Sequence, residues 1–214
     1  MNYFLKNLLF ALLACGFFAC GGEASQGSGS AQEVPPGIPQ VKSSGTTAAN
    51  GKLIGLRNKM LQLEGQDPIT LEDDPEVATI ILLRPAETMG TKSSLSREGL
   101  MRADFLARAF ASCGIEQIYC EGNAAMQTAM MTSRSNASNV GLVKDDGTDQ
   151  LAKTILKNWK GKRVMVIANA GMVTNVLSQI VGNSSLVVPE NEYDNVYVLR
   201  AKEMGDAVSY HFKY

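Results

Sequence analysis

A short apolar run, Thr79-Ile80-Ile81-Leu82-Leu83, is followed directly by Arg84 and Pro85. An uninterrupted run of aliphatic and β-branched residues is typical of a strand that is buried on both faces of a parallel sheet. Proline cannot continue such a strand, because it has no backbone N–H to donate. The run therefore predicts a central strand that places an arginine at its carboxyl end, where open α/β sheets bind their ligands.

Residues 79–87 read T-I-I-L-L-R-P-A-E and resemble the strand T-I-x-L-x-R-H-A-E of the histidine phosphatase superfamily, the phosphoglycerate-mutase-like proteins. In that family the histidine after the arginine accepts the phosphoryl group covalently. Pro85 stands at that position here, and proline has no nucleophilic atom. The resemblance therefore implies the fold and an anion pocket of this family, and it argues against the family's phospho-enzyme chemistry.

Four further places in the chain follow the family's pattern in the same order. They are L-S-R-E-G with Arg102-Ala103, G-I-E-Q-I-Y-C with the later Q-T-A, G-K-R-V-M-V-I-A-N-A-G, and E-Y-D-N-V-Y-V, which start at Leu95, Gly114, Gly161 and Glu192. Ser96 is suited to cap the first crossover helix. The resemblance covers roughly residues 77–200 and implies an α/β protein with three layers, α/β/α, around a mainly parallel sheet.

The family builds its phosphate site from two arginines and two histidines, and only Arg84 of these four is matched. Asn169 replaces the second histidine, and residues 123–125 (Asn-Ala-Ala) stand where the second arginine belongs. Backbone N–H groups of the turn at Asn169 could still face an anion where the next helix begins. The anion-binding residues expected on this basis are Arg84, Glu87, Asn169, Ala170 and Gly171. No cofactor is expected, and no Cys or His cluster has the spacing of metal ligands.

A pocket without its nucleophile favours a protein that binds a phosphate-like or carboxylate anion, or a protein partner in the envelope, without turnover. Two alternatives stay open. A phosphatase, hydrolysing phosphomonoesters or phosphohistidine, would need a substitute nucleophile such as Asp145, Asp146 or Ser93. A structural envelope protein would have a vestigial pocket, with Arg84 bound to Glu87 or to backbone carbonyls. A structural role is expected for His211, the only histidine in the chain.

The first twenty residues resemble a bacterial lipoprotein signal peptide. Lys6 is their only charged residue, and the apolar run from Leu8 to Ala19 is too short to span a bilayer as a helix. Cys20 follows a small residue, as in a lipobox, and Cys15 is the alternative lipidation site. The alternatives are a simple secretory signal and a membrane helix. This pattern predicts a protein held by a lipidated cysteine in the membrane of a bacterial envelope, extracytoplasmic, on the periplasmic side or the cell surface.

Composition divides the remaining chain into three parts. Residues 21–50 are rich in Gly, Ser, Gln and Pro and predict a flexible tether. Apolar residues between Leu53 and Leu63 fall at roughly helical spacing, so residues 51–76 are predicted to form an N-terminal helical extension. The domain itself is expected over 77–214, with strands near 78–84, 115–120, 138–144, 163–168, 195–202 and 207–214 and helices near 96–112, 123–133, 148–159 and 171–182.

Charge and cysteine content argue against nucleic-acid binding and against a disulfide. Without residues 1–20 the chain has 19 basic and 21 acidic side chains, a net charge of −2, and its cations are scattered. Nucleic acid is therefore not an expected partner. Cys113 and Cys120 lie at opposite ends of a predicted strand, too far apart for a disulfide. Both are expected to be buried thiols.

Overall fold

The computed structural model describes residues 48–90, 94–143 and 147–214. The expectations for the signal peptide, for Cys15 and Cys20, and for most of the tether concern residues outside these ranges. Ser93, Asp145 and Asp146 also lie outside them. Within the described ranges, no helix combines the length and the apolar character that crossing a membrane requires.

Strands and helices alternate along most of the described chain. The strands are β1 (Ala48–Arg57), β2 (Met60–Leu63), β3 (Ile69–Thr70), β4 (Ala78–Leu83), β5 (Ile115–Cys120), β6 (Asn139–Leu142), β7 (Arg163–Ile167), β8 (Asn195–Glu203) and β9 (Asp206–Lys213). The helices are α1 (Arg97–Ala109), α2 (Gly122–Asn136), α3 (Thr148–Asn158) and α4 (Ala170–Val181). All six strands and four helices predicted over 78–214 are present, with ends within three residues of the prediction.

The strands form one sheet in the order β3-β2-β1-β9-β8-β4-β7-β5-β6. Strands β4, β7, β5 and β6 pair in parallel, which requires the crossover helices that connect them. Strand β8 pairs antiparallel with β4, and β9 pairs antiparallel with β8. The predicted α/β fold with its parallel central sheet is confirmed, and antiparallel pairs extend the sheet on the β8 side.

Strand β4 is buried along its whole length, as the apolar run predicted. Ile81 and Leu83 pack into a core shared with α1 and α2. Ile80 and Leu82 belong to a second core, which α3 and α4 complete. Because successive side chains of a strand alternate between faces, the two cores lie on opposite faces of the sheet. The architecture is therefore three layers with helices on both faces.

The predicted helix within residues 51–76 is wrong, because this part of the chain forms strands β1, β2 and β3. Asn58 and Lys59, with φ of 47° and 68°, make the two-residue turn between β1 and β2. Positive φ at both central positions is the requirement of a type I′ hairpin turn, for which asparagine is well suited. Leu61 and Leu63 are buried two residues apart, the spacing of a strand. Strand β1 also pairs with β9, so the sheet begins within the predicted tether.

Both described cysteines are unpaired and buried, as expected; Cys113 lies two residues before β5, and Cys120 is its last residue. Burial raises the pKa of the Cys113 thiol to about 11, and it does the same for Cys120. Neither thiol is ionised at neutral pH, so neither is a reactive nucleophile.

Candidate functional site

The carboxyl ends of β4, β7 and β5 lie side by side and define the strand-end site. The N–H of Ala168 donates to the carbonyl of Leu83 at 3.2 Å, and the N–H of Glu121 donates to the carbonyl of Ile167 at 3.0 Å. Neighbouring strands are about 4.8 Å apart. Arg84 and Glu121 therefore leave the sheet at the same edge, on either side of the turn that follows β7.

The side chain of Arg84 binds the loop that connects α4 to β8. Its Nη1 donates to the carbonyl oxygens of Pro189 at 3.4 Å and Glu192 at 3.2 Å, and also to that of Glu190. The Tyr193 ring lies 4.4 Å from the guanidinium carbon, a cation–π contact. Nε is buried and has no hydrogen-bond partner among the described residues. The Arg84 charge thus faces carbonyl oxygens and an aromatic ring supplied by the protein itself.

Glu87, the second expected site residue, forms an ion pair with Arg102. Arg102 Nε donates to both carboxylate oxygens at 2.9 Å, and Nη2 donates to Oε1 at 2.6 Å. Burial would raise the pKa of Glu87, but the hydrogen bonds from Arg102 outweigh it, so the pKa lies below its usual value. The same bonds raise the pKa of Arg102. Glu87 is therefore ionised and paired, and its partner is Arg102 rather than Arg84.

Asn169 begins helix α4 and binds a carboxylate of the same chain. Its Oδ1 accepts from the N–H of Met172 at 2.8 Å, which caps the helix. Its N–H donates to Glu121 Oε2 at 2.8 Å, and its Nδ2 donates to Glu121 Oε1 at 2.7 Å. The expected anion position beside Asn169, at the start of the turn Asn169-Ala170-Gly171, thus holds the carboxylate of Glu121.

The segments that carry the family resemblance support the loop between β4 and α1. Thr128 Oγ1 accepts from the N–H of Ala86 at 3.1 Å, and Gln127 Oε1 accepts from the N–H of Leu95 at 3.3 Å. Ser96 is the N-cap of α1, as predicted. These bonds hold the loop and the start of α1 in place.

The charged groups around the strand-end site are mainly acidic. Lys213 binds Asp194 at 2.9 Å and also Glu192. The carboxylates with contacts at this edge are Glu87, Glu121, Glu192 and Asp194, and the cations are Arg84, Arg102 and Lys213. An excess of carboxylates repels a phosphate instead of concentrating it. Among the described residues, no group of three or more His, Cys, Asp and Glu is arranged to hold a metal ion.

His211 lies on β9, separated from β4 by β8. Its ring stacks on that of Tyr197 with a centroid separation of 4.5 Å and an angle of 8°. Its Nε2 lies 2.7 Å from Asn195 Oδ1. Burial lowers the pKa of His211, Lys213 lowers it further, and Glu192 and Asp194 oppose the shift. These contacts give His211 a structural place in the sheet.

Acidification through the histidine range is expected to destabilise the fold. Because the pKa of His211 is lower in the folded state than its ordinary value of 6.5, the folded state binds fewer protons than the unfolded state. The stability that neutral His211 contributes is complete above pH 6.5, and it is lost as pH falls towards the folded-state pKa of His211. Urea unfolding between pH 8 and pH 5 should show the decline, and His211→Gln should remove it. An equal slope in the variant would contradict this assignment. The paired carboxylates, such as Glu87, begin to lose their contribution to stability only below about pH 4.5.

A cavity of about 440 Å³ lies at the other edge of the sheet, away from the strand-end site. Its lining includes Thr79, Gly114 and Arg163, at the amino ends of β4, β5 and β7. Lys59 and Asp73, which also line it, form an ion pair with each other. None of the expected site residues lines this cavity.

The structure defines a mixed α/β fold with a mainly parallel central sheet, and several solved phosphatase structures are similar to it in fold. No family model matches the sequence, and no curated protein matches it. A putative phosphohistidine phosphatase SixA from Agrobacterium tumefaciens is 15% identical, with a TM-score of 0.44 over 63% of this chain and 94% of that chain. A mycobacterial glucosyl-3-phosphoglycerate phosphatase, solved with VO3, is 11% identical, with a TM-score of 0.47 over 56% of this chain and 90% of that chain.

A mutant phosphoserine phosphatase from Entamoeba histolytica in complex with phosphoserine is also similar. It is 12% identical, with a TM-score of 0.43 over 62% of this chain and 94% of that chain. Likeness at these identities concerns the fold alone. The chemistry of the strand-end site must be read from the residues of this chain.

Proposed function

We propose that this protein is a lipid-anchored binding protein of the bacterial envelope, which recognises a protein partner and does not turn over phosphate esters. One observation carries the proposal: the carboxylate of Glu121 lies where the resemblance places a bound anion. It accepts hydrogen bonds from the N–H and Nδ2 of Asn169 at the start of α4. A negative charge is favoured at a helix N-terminus, and here the chain supplies that charge itself.

The residues at the strand ends support the absence of turnover. Pro85 and Asn169 occupy the two positions at which the family has histidines, and neither side chain can carry a phosphoryl group. His211 lies beyond β8 and is held by Asn195 and Tyr197. The phosphatase alternative therefore depends on a nucleophile among Ser93, Asp145 and Asp146, none of which is a described residue.

The exposed surface favours a protein over a small anion as the ligand. Leu100 and Met101 on α1 are 48% and 66% exposed, and Met130 on α2 is 44% exposed. Met89, in the loop that leads from β4 to α1, is 49% exposed. These side chains lie on elements that cover one face of the sheet, and flexible methionines suit adaptable protein contacts. The anchor at Cys20, or at Cys15, would hold the domain in the envelope.

A small phosphate-like or carboxylate anion is the second candidate ligand. The first N–H groups of a helix have no acceptor within the helix, and in α4 these belong to Ala170 and Gly171. Binding there would require the anion to share the site with Glu121 or displace it. The structural alternative, an envelope protein with a vestigial pocket, is supported by the contacts of Arg84 with backbone carbonyls.

Substituting Glu121→Gln tests whether the chain fills its own anion site. In the wild-type protein, phosphate or vanadate should leave the melting temperature unchanged. In the variant the repelling charge is gone, and a tenfold excess of phosphate over its Kd would add about 1.4 kcal/mol, or about 3–5 °C. Adding Arg84→Ala to the variant should reduce that gain.

Glu116→Gln is the matched control, because Glu116 is a carboxylate at the other edge of the sheet, paired with Lys162. It should respond to phosphate as the wild type does. Stabilisation of the wild-type protein by phosphate to the same extent as Glu121→Gln would show an open anion site, and the proposal would then be wrong.

A further inference from the structure

Lysines surround a cavity of about 330 Å³ where helix α3 meets the β8–β9 hairpin. Lys153, Lys157, Lys160 and Lys202 line it, and Glu203 is the one acidic residue of its lining. The four lysines give this part of the surface an excess of positive charge. We call this feature the lysine pocket.

One of the four lysines forms a salt bridge with a described carboxylate. Lys160 binds Glu76 at 2.8 Å, which raises the pKa of Lys160. Lys153, Lys157 and Lys202 form no salt bridge with a carboxylate whose side chain the structure describes. Besides the hydrogen bond from Lys160, the charge of Lys202 also helps to lower the pKa of Glu76. Lys153 and Lys157 are four residues apart on α3 and therefore project from the same side of the helix. The pocket thus presents several cations towards one volume.

The remaining lining of the lysine pocket is apolar. Leu156 is buried, and Met204, in the turn of the β8–β9 hairpin, is 39% exposed. Cations around an apolar floor suit a ligand that combines an anionic group with a hydrocarbon part. An anionic phospholipid has this combination, with its phosphate next to the glycerol and acyl chains.

The lysine pocket lies on the side of the sheet where the β8–β9 hairpin turns. Ala48 begins the described chain and pairs with Tyr210 of β9, four residues after the first residue of β9. Four strand residues span about 13 Å, so Ala48 lies within about that distance of the hairpin that carries Lys202. Ala201 of β8 lies opposite Ala78, at the amino end of β4. The pocket is therefore at the edge opposite the strand-end site.

We propose that the lysine pocket binds the phosphate of an anionic phospholipid in the membrane that carries the chain. The proposal rests on the proposed lipid anchor for its proximity to a bilayer and goes beyond it by giving the domain a fixed orientation. With the pocket on the bilayer, the edge with Arg84 and Asn169 faces away from it. That edge then stays accessible to a partner in the envelope.

Lysine acetylation of the full chain, read by mass spectrometry, tests the proposal in vesicles. The chain is bound to vesicles of pure phosphatidylcholine or to vesicles that contain one third phosphatidylglycerol. Flotation of the chain with each kind of vesicle is measured separately. Each basic residue near an anionic membrane surface strengthens binding of the protein to that membrane about fivefold. We expect acetylation of Lys153, Lys157 and Lys202 to slow about fivefold with phosphatidylglycerol and to recover in about 0.5 M salt, where charges are screened.

Lys52 and Lys213 are internal controls, because both are exposed and lie outside the lysine pocket. Their rates should not change. Lys160 in the wild type should also be acetylated more slowly with phosphatidylglycerol, and a variant with Lys153→Gln, Lys157→Gln and Lys202→Gln should lose that protection. Equal rates in both kinds of vesicle, with the chain floating in both, would overturn the proposal and leave the anchor intact. Failure to float with neutral vesicles would contradict the anchor instead.

Two soluble probes separate the lipid from other anions. Inorganic phosphate and poly-glutamate are added to the same chain in neutral vesicles, at the anion concentration of the phosphatidylglycerol sample. Neither should protect the pocket lysines as the lipid does. Protection by poly-glutamate without protection by phosphatidylglycerol would overturn the proposal in favour of an acidic protein partner. Equal protection by free phosphate would show that the bilayer is not required, and the proposal would also fail.

Discussion

Gly99→Ala should lower the free energy of unfolding by about 3 kcal/mol, because the first turn of α1 has no room for a side chain. A Cβ at Gly99 would lie 2.1 Å from the carbonyl oxygen of Glu87 and 3.0 Å from its carbonyl carbon and its backbone nitrogen. The obstructing atoms are backbone, and they are held in place by the N–H of Ser96, which donates to the same oxygen at 2.8 Å. Relief of the clash would therefore displace either the helix or the strand-end loop.

Equilibrium urea unfolding of Gly99→Ala measures this effect. Gly147→Ala is the matched control, because a Cβ there would be 3.6 Å from a side-chain carbon of Val143, an ordinary contact. We expect the control to change the free energy of unfolding by less than about 1 kcal/mol. Equal stability of the two variants would mean that α1 and the loop do not approach as closely as described. The loop also carries Glu87, so its displacement should weaken the ion pair with Arg102.

The central half of the fold could be predicted from the sequence because its signals are local. An unbroken apolar run produced β4, and apolar residues at helical spacing produced α4, whose inward side chains are buried. The strand β1 and hairpin β1–β2 were missed for an equally local reason. Leucines between Leu53 and Leu63 fit helical spacing as well as strand spacing, and the decisive signal was the turn at Asn58 and Lys59.

The contacts of the strand-end site could not be predicted, because they join residues that are far apart in the chain. Glu121 and Asn169 are separated by 48 positions, and Arg84 and Pro189 by 105. The sequence located Arg84 and Asn169 at strand ends correctly, but it contained no signal for the groups that bind them. Glu121 follows β5 directly, and β5 is the strand next to β7. This was the one available indication that a carboxylate would lie beside Asn169. It becomes informative only when the strand order is known.

The most direct test of the account is the hydrolysis of a generic aryl phosphate by the purified full chain. Removing a catalytic nucleophile costs hydrolases on the order of a millionfold in kcat. Since neither Pro85 nor Asn169 can carry a phosphoryl group, we predict a rate that equals the buffer rate, for the wild type and for Arg84→Ala alike. Hydrolysis by the wild type that exceeds this background and disappears in Arg84→Ala would contradict the account, because it would require an active nucleophile beside the strand ends.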